Sequence, residues 1–309
     1  MAKQYGKFYT KFRQVRGRFW HKPRLWLTYK INLFLLQHIF RYSRITLRDY
    51  SALGDALRLT HIARELRLRY PKIRITIATK WEALFRNNPN VFATIPRNSR
   101  RLFIFPANLV TKTGSNCHLL DNYLDAIGIK PPYNPPKLEL FLQEAEIAAV
   151  QSKLPASFIV IQPNSNSMYP DDRRNWGFER FDELVRLMSD TQFVQIGLTE
   201  ERLLEGVVDL RGLPILGSAA VCKLASAGVF NDCGLMHLAN AVDTRSVVIW
   251  SGATSAEHAG YPTAINLRSA IECSPCGTYK TRCPNDMKCM ELITPQMVAE
   301  ALKSIQRKN

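Results

Sequence analysis

One stretch constrains the fold more than any other: Asn231-Asp232-Cys233-Gly234-Leu235-Met236-His237-Leu238-Ala239-Asn240. The apolar lead-in Ala227-Gly228-Val229-Phe230 reads as a strand that ends in an acid and a glycine. A helix-forming run, Leu235 to Val242, follows at once. Gly234 permits close approach of another backbone, and the first turn of the helix offers unpaired N–H groups. Such a terminus favours anions, phosphate above all. Asp232 does not suit phosphate; it suits a hydroxyl donor or caps the helix. Two readings stand at this point. One is a nucleotide or sugar-phosphate site at the carboxyl end of a strand in an open α/β sheet. The other is an ordinary capped helix with His237 packed beside it.

The flanking sequence repeats the strand-to-helix pattern. Phe158-Ile159-Val160-Ile161 is a continuous apolar run, as a strand buried on both faces requires. It ends in a polar loop, Gln162 to Ser167, that carries Asn164 and Ser165. After Asp171-Asp172-Arg173-Arg174-Asn175-Trp176 comes a helix with Phe181, Leu184, Val185 and Met188 on one face. Phe193 to Gly197 and Val207 to Gly212 read as strands, Ser218 to Ala227 as a helix, and Ser246 to Trp250 as a strand ending in Ser251-Gly252-Ala253-Thr254. Thr294-Pro295 places a cap and a proline where the last helix begins. Strands alternating with helices predict a parallel sheet with right-handed crossovers.

The amino-terminal half opens the same way. Ser43 to Tyr50 alternates as a strand does, Gly54 supplies a turn, and Asp55 stands at the start of a helix running to Tyr70. Leu59, Ala63, Leu66 and Tyr70 share one face of that helix. Ile73, Ile75 and Ile77 mark the next strand. Leu102 to Phe105 and Leu138 to Leu142 read as short strands, and Cys117 to Ile127 as a helix. No Gly-x-Gly-x-x-Gly is present, so a dinucleotide fingerprint is excluded.

These motifs resemble glycosyltransferase family 9, the heptosyltransferases of lipopolysaccharide synthesis, over about residues 44–307. Asp232, Gly234, Met236, His237, Leu238, Ala239 and Ala241 match that family's Asp-Ser/Thr-Gly-Pro-Met-His-Leu-Ala-Ala-Ala signature. Cys233, Leu235 and Asn240 depart from it. Leu53-Gly54-Asp55-Ala56-Leu57 resembles the family's first turn, and the resemblance makes Asp55 the catalytic base. Arg174 stands where the family's Lys-x-Trp lysine meets the donor diphosphate, an exchange that keeps the charge and adds a bidentate grip. The resemblance implies a GT-B fold: two Rossmann-like α/β domains with parallel sheets and a cleft between them. It implies an amino-terminal acceptor domain over 43–150 and a donor domain over 151–309. The implied reaction is inverting transfer of a sugar, a heptose, from a nucleotide-diphosphate donor, ADP-heptose, to a glycan or lipid-linked acceptor, with no cofactor needed for catalysis. Donor contacts then fall to Asn164, Ser165, Arg174, Gly197, Asp232, Cys233, Gly234, His237, Leu238, Gly252 and Thr254. The alternatives are a GT-B nucleotide-sugar epimerase and a non-catalytic binder of nucleic acid or membrane on a degenerate transferase fold.

Cys273, Cys276, Cys283 and Cys289 form the spacing C-x2-C-x6-C-x5-C. Four thiolates so close in sequence suit a structural Zn or Fe, and reduced cysteines or a redox pair are the other reading. Family 9 members resemble this pattern, and a subset related to autotransporter heptosyltransferases binds a metal.

Charge speaks to partners. With 42 basic and 26 acidic residues in 309, the net charge is +16. Residues 1–42 hold ten basic side chains and no acid, interleaved with aromatics such as Tyr5, Phe8, Trp20 and Trp26. Leu25 to Phe40 is an apolar helix candidate too short and too polar to span a bilayer. It suits the interface, with basic residues on anionic headgroups. A solvated tail is the second reading and nucleic acid the third, since no nucleic-acid motif is recognised. The sequence shows no signal peptide. The expected location is the cytoplasm, at the inner face of the membrane. Deleting residues 1–42 is expected to abolish sedimentation with anionic vesicles, and salt to weaken it in the intact chain. Equal binding by the truncated chain contradicts the membrane reading.

Overall fold

The computed structural model describes residues 42–49, 52–99, 104–106, 118–165, 173–276 and 283–306, together with Ile31, Phe34 and His38. The rest of the basic extension, and with it the interfacial helix expected over 25–40, lies outside the described residues. Among the described residues no helix is long and apolar enough to cross a membrane.

Two parallel sheets organise the chain. The first contains β1 (Arg44–Arg48), β2 (Arg74–Thr79), β3 (Ala93–Pro96) and β4 (Ile104–Pro106), in the order β3-β2-β1-β4. The second contains β5 (Ile159–Gln162), β6 (Phe193–Gln195), β7 (Val208–Asp209), β8 (Ala227–Asn231), β9 (Ser246–Ile249) and β10 (Ala264–Leu267), in the order β10-β9-β8-β5-β6-β7. In each sheet the chain starts at an inner strand, builds outward one way, then returns to build the other way. The strand order therefore reverses between β1 and β4 and again between β5 and β8. Those are the two places where an open α/β sheet leaves a crevice at its carboxyl edge.

Helix α1 (Leu53–Arg69) follows β1, and α2 (Leu119–Ala126) packs against it. Helices α3 (Glu144–Gln151), α4 (Phe178–Leu187), α5 (Ile215–Leu224), α6 (Gly234–Ala241), α7 (Ala256–Ala259), α8 (Lys288–Glu291) and α9 (Pro295–Gln306) complete the chain. The face expected of α1 is the face it buries: Leu59, Ala63 and Leu66 are wholly inside. Strands of the second sheet are apolar on both faces because both are covered. Ile159, Ile161, Val229, Val247 and Ile249 face α4 and α9 with Phe181, Leu184 and Leu302. Val160, Val194, Phe230 and Val248 face the opposite core, which continues through α6 and α1 into the first sheet. Helix α3 packs on α5, so by contact it goes with the second sheet.

The two sheet units meet where α1 and α6 begin. A Cβ added to Gly54 would overlap the His237 ring, and one added to Gly234 would lie 3.1 Å from the Leu53 side chain. Only residues without a side chain let the two helix starts approach this closely.

One expected strand is absent. Residues 138–142 run extended, with Leu138 and Leu140 buried, but join neither sheet. Their N–H groups are taken by helices instead. Leu138 N–H donates to Asn240 Oδ1 (3.0 Å), Leu140 N–H to the Ala241 carbonyl (2.9 Å), and Glu139 N–H, between them, to Thr60 Oγ1 (3.0 Å). Alternate amides thus tie the segment to α6 and to α1. Asn240, which departs from the family signature, also donates to Thr263 Oγ1 at 2.8 Å. Replacing Asn240 with Ala leaves a buried amide unpaired and is expected to cost about 1–3 kcal/mol, measured by urea denaturation. An unchanged midpoint would show that the segment is held by other contacts.

Candidate active site

The site begins with Asp55. The cap of α1 is Ala52, with no side-chain capping bond, and Asp55 lies inside the first turn. It is therefore not the cap, and its carboxylate is directed at a side chain. Arg58 Nη1 donates to its Oδ1 at 2.9 Å, one helical turn on. Burial raises the Asp55 carboxyl above the ordinary range, and the Arg58 charge and hydrogen bond oppose that rise. Arg174, from the other unit, adds to the opposition.

Across the α1–α6 contact the second unit answers with Asp232, His237 and Arg174. Asp232 follows β8, and its carboxylate lies 3.2 Å from Arg174 Nε. Among the described residues Arg174 thus pairs with this distant acid; Asp171 and Asp172 lie outside them. Arg58 Nη2 lies 3.3 Å from His237 Nε2, and His237 Nδ1 lies 2.6 Å from the Tyr261 hydroxyl. A guanidinium only donates, so Nε2 accepts and the ring proton sits on Nδ1, donated to Tyr261. Burial, then the charges of Arg58 and Arg174, hold His237 neutral well below the usual histidine range. Both ring nitrogens therefore have protein partners.

The other expected donor residues follow adjacent strands of the second sheet. Asn164 and Ser165 come after β5 and Gly197 after β6; Cys233 and Gly234 come after β8, and Gly252 and Thr254 after β9. In sheet order β9-β8-β5-β6 these strand ends are neighbours, on either side of the order reversal. Gly197 has φ +145° and faces the Glu201 carboxylate. Gln162 Nε2 donates to that carboxylate at 3.1 Å, and burial raises it. Cys233 caps α6 by position, without a side-chain cap bond, and burial pushes its thiol up to about 11. Leu238 is wholly buried in the apolar core. The Thr254 hydroxyl is buried with no hydrogen-bond partner among the described residues.

A family model, "Glycosyltransferase family 9 (heptosyltransferase)", matches residues 113–286, over half of the chain. The chain belongs to glycosyltransferase family 9. Solved structures agree in fold. ADP-heptose lipopolysaccharide heptosyltransferase II of E. coli superposes with a TM-score of 0.67 at 18% identity, over 86% of this chain and 99% of that one. A glycosyltransferase family 9 protein of Veillonella parvula gives 0.68 at 17% identity, over 87% and 98%. The iron-containing dodecameric glycosyltransferase TibC of enterotoxigenic E. coli gives 0.66 at 15%, over 86% and 77%. A search of curated protein sequences gave no match. The GT-B expectation is therefore met: two Rossmann-like parallel sheets, as in these structures.

The cysteines of this family 9 chain gather without forming a ligand set. Cys289 Sγ accepts from Gly252 N–H at 3.4 Å, and Cys276 N–H donates to the Gly252 carbonyl at 2.6 Å. The Cys289 thiol is raised by burial and also by Cys283, Cys273 and Cys276, so the four share one neighbourhood. Yet among the described residues no three His, Cys, Asp or Glu side chains converge closely enough to hold a metal ion. The cysteine segment instead braces the loop that carries Gly252 and Thr254.

Sequence reading missed Arg58, Tyr261, Tyr123 and His118. Arg58 had a local signal, three residues after an acid on a helix. Tyr261 had none, while His118 and Tyr123 lie in a helix segment close to a family segment; His118 acts across the contact, its Nε2 2.9 Å from the Gly260 carbonyl. Burial holds His118 and His61 neutral down to about 4. Between about pH 4 and 6.5 the unfolded chain then binds protons that the folded chain refuses, so stability rises with pH. Each histidine adds up to about 1.4 kcal/mol per pH unit to that slope. Urea midpoints from pH 7 to pH 5 check this: His118→Gln is expected to flatten the fall, and an unchanged slope would show that His118 is protonated in the folded chain.

Proposed function

We infer that this chain is an inverting glycosyltransferase that moves a heptose from ADP-heptose to a glycan or lipid-linked acceptor. One observation carries the reading. The Asp55 carboxylate of the first unit and the Arg174–Asp232 pair of the second lie within electrostatic reach, at the carboxyl edges of the two sheets. Inverting transfer needs that pairing: a base on the acceptor side and a cation for the departing diphosphate on the donor side. The choice of donor rests on the relatives. TibC is seen with ADP-D-beta-D-heptose, and E. coli WaaC with ADP.

In this reading the acceptor hydroxyl attacks the anomeric carbon and passes its proton to Asp55 as the bond forms. The diphosphate leaves on the far side, toward Arg174 and the start of α6, where unpaired backbone N–H groups meet it. Burial keeps Asp55 a stronger base than a solvent-exposed carboxylate, and Arg58 keeps it ionised. On this reading the Thr254 hydroxyl, after β9, and the Asn164 amide, after β5, serve the nucleotide from either side of β8. The cysteine neighbourhood is a brace for the Gly252 loop, and no step is routed through it. Membrane docking is proposed for the basic extension on its charge alone.

Two variants separate the roles. Asp55→Asn keeps shape and removes the proton acceptor, so turnover should fall about a hundredfold or more with donor affinity unchanged. Arg174→Ala should instead weaken donor binding by about 1.5–3 kcal/mol. Steady-state transfer from ADP-heptose, with donor affinity by calorimetry, tests both. Near-full turnover by Asp55→Asn, or unaltered donor affinity in Arg174→Ala, would overturn the assignment.

A further inference from the structure

Arg58 sits at the centre of the interface and belongs to no motif. Its Nη1 donates to Asp55 Oδ1 at 2.9 Å and its Nη2 to His237 Nε2 at 3.3 Å. The hydroxyls of Tyr123 and Tyr261 lie within reach of its charge. Asp55 and Tyr123 belong to the first sheet's unit, His237 and Tyr261 to the second's. One guanidinium therefore joins a carboxylate of one unit to an imidazole of the other, with a tyrosine of each unit in its field. Its side chain is 15% exposed and that of Asp55 17%, so this is not a solvated helix-surface pair of the kind that contributes little.

We propose that Arg58 is a positioning residue for the transfer: it fixes the Asp55 carboxylate and, by bonding His237, makes that placement depend on the two units being in contact. The inference rests on the reading of Asp55 as the base.

The geometry supplies the reasons. A carboxylate on the first turn of a helix is free to rotate unless something holds it. The bond to Oδ1 holds it and assigns the proton to Oδ2. A guanidinium has donors in a fixed plane, so a shift of α6 that moves His237 also moves the group that holds Asp55. Arg58 cannot lose its charge, and it has no acceptor. The neutral His237 ring is thus the only protonation state that suits it, with the ring proton on the Tyr261 side. A charge this buried is costly unless its partners compensate, and here the compensation comes from both units at once. When the units part, Arg58 loses His237 and the carboxylate loses its fixed support. The base is then set for reaction only when acceptor and donor sides are closed on each other.

The test uses Arg58→Gln and Arg58→Lys in the full chain. Gln keeps donors but loses the charge; Lys keeps the charge but not the planar fork. In Arg58→Gln the acid limb of the kcat–pH profile is expected to move up by about one pH unit, because an opposing charge no longer stabilises the ionised base. In Arg58→Lys the limb should stay and kcat should fall about ten- to a hundredfold through misplacement, with donor KM unchanged. A residue that merely stabilised the fold would lower the melting temperature and leave both the limb and the turnover per folded molecule alone, and that result would overturn the proposal. Should Arg58→Gln not fold, Arg58→Lys decides: reduced turnover at an unchanged melting temperature supports the proposal, and full turnover ends it. If the wild-type chain transfers no sugar, the reading of the function fails separately. Carbon-13 titration of the Asp55 carboxyl in wild type and Arg58→Gln still reads the hold of Arg58 on Asp55. A carboxyl pKa that does not rise in Arg58→Gln would overturn the inference.

Discussion

The contact between the starts of α1 and α6 is the constraint on which the rest depends. Two glycines, Gly54 and Gly234, let these helices meet, each facing a side chain of the other unit. Without that approach Arg58 could not reach His237, the segment 138–140 could not bridge Thr60 and α6, and the apolar core could not run unbroken from one sheet to the other. Both helix starts carry positive partial charge, so bringing them together is unfavourable unless acids lie nearby. Asp55 and Asp232 are those acids, one for each helix. The same residues that make the contact tolerable are thus the ones with chemistry to offer.

Burial and charge are balanced there in pairs. Asp55 is raised by desolvation and drawn back by Arg58; His237 is held neutral by desolvation and by two arginines. A histidine that became charged at this point would face Arg58 and Arg174 together. Its neutrality is therefore structural, and it also sets the direction of the Nδ1–H bond to Tyr261. The position that the family signature marks as His is filled here by a ring whose two nitrogens are both committed to the protein.

The sequence made the scaffold legible wherever a segment is buried on one defined side. The faces of α1 and α4, the continuous run of β5 and the cap of α9 follow from local pattern. Strands β3 and β10 did not stand out because they are short and lie at sheet edges, where Ala264 to Leu267 is only half-buried and no alternation is imposed. Residues 138–142 misled because alternating burial is what a strand shows. The alternation here comes from lying between two helices. Within the site, Asp55, Arg174 and Asp232 were visible because they sit inside motifs tied to strand ends. Arg58, Tyr261 and His118 were not, since their roles exist only after the two units meet, and nothing in local spacing encodes that meeting. For the cysteines, close spacing in sequence brought the thiols to one neighbourhood, and among the described residues no group of three ligating side chains converges there.

A last consequence concerns the Arg174–Asp232 pair. On the proposed reading a diphosphate arrives where Arg174 already has a carboxylate at 3.2 Å. The side chain of Asp232 is 5% exposed, so it cannot turn into solvent to make way. The incoming anion must share the guanidinium with it, and planar donors on two edges permit sharing where a lysine ammonium would be drawn to one partner. Two anions on one cation repel, and the α6 start supplies the further positive charge that offsets this. Asp232 then has a second use, since a carboxylate held beside the phosphate site accepts hydroxyl protons and so favours a sugar-bearing diphosphate over a bare one. Arginine at this place is thus suited to a site where one buried acid must stay paired while a second anion binds.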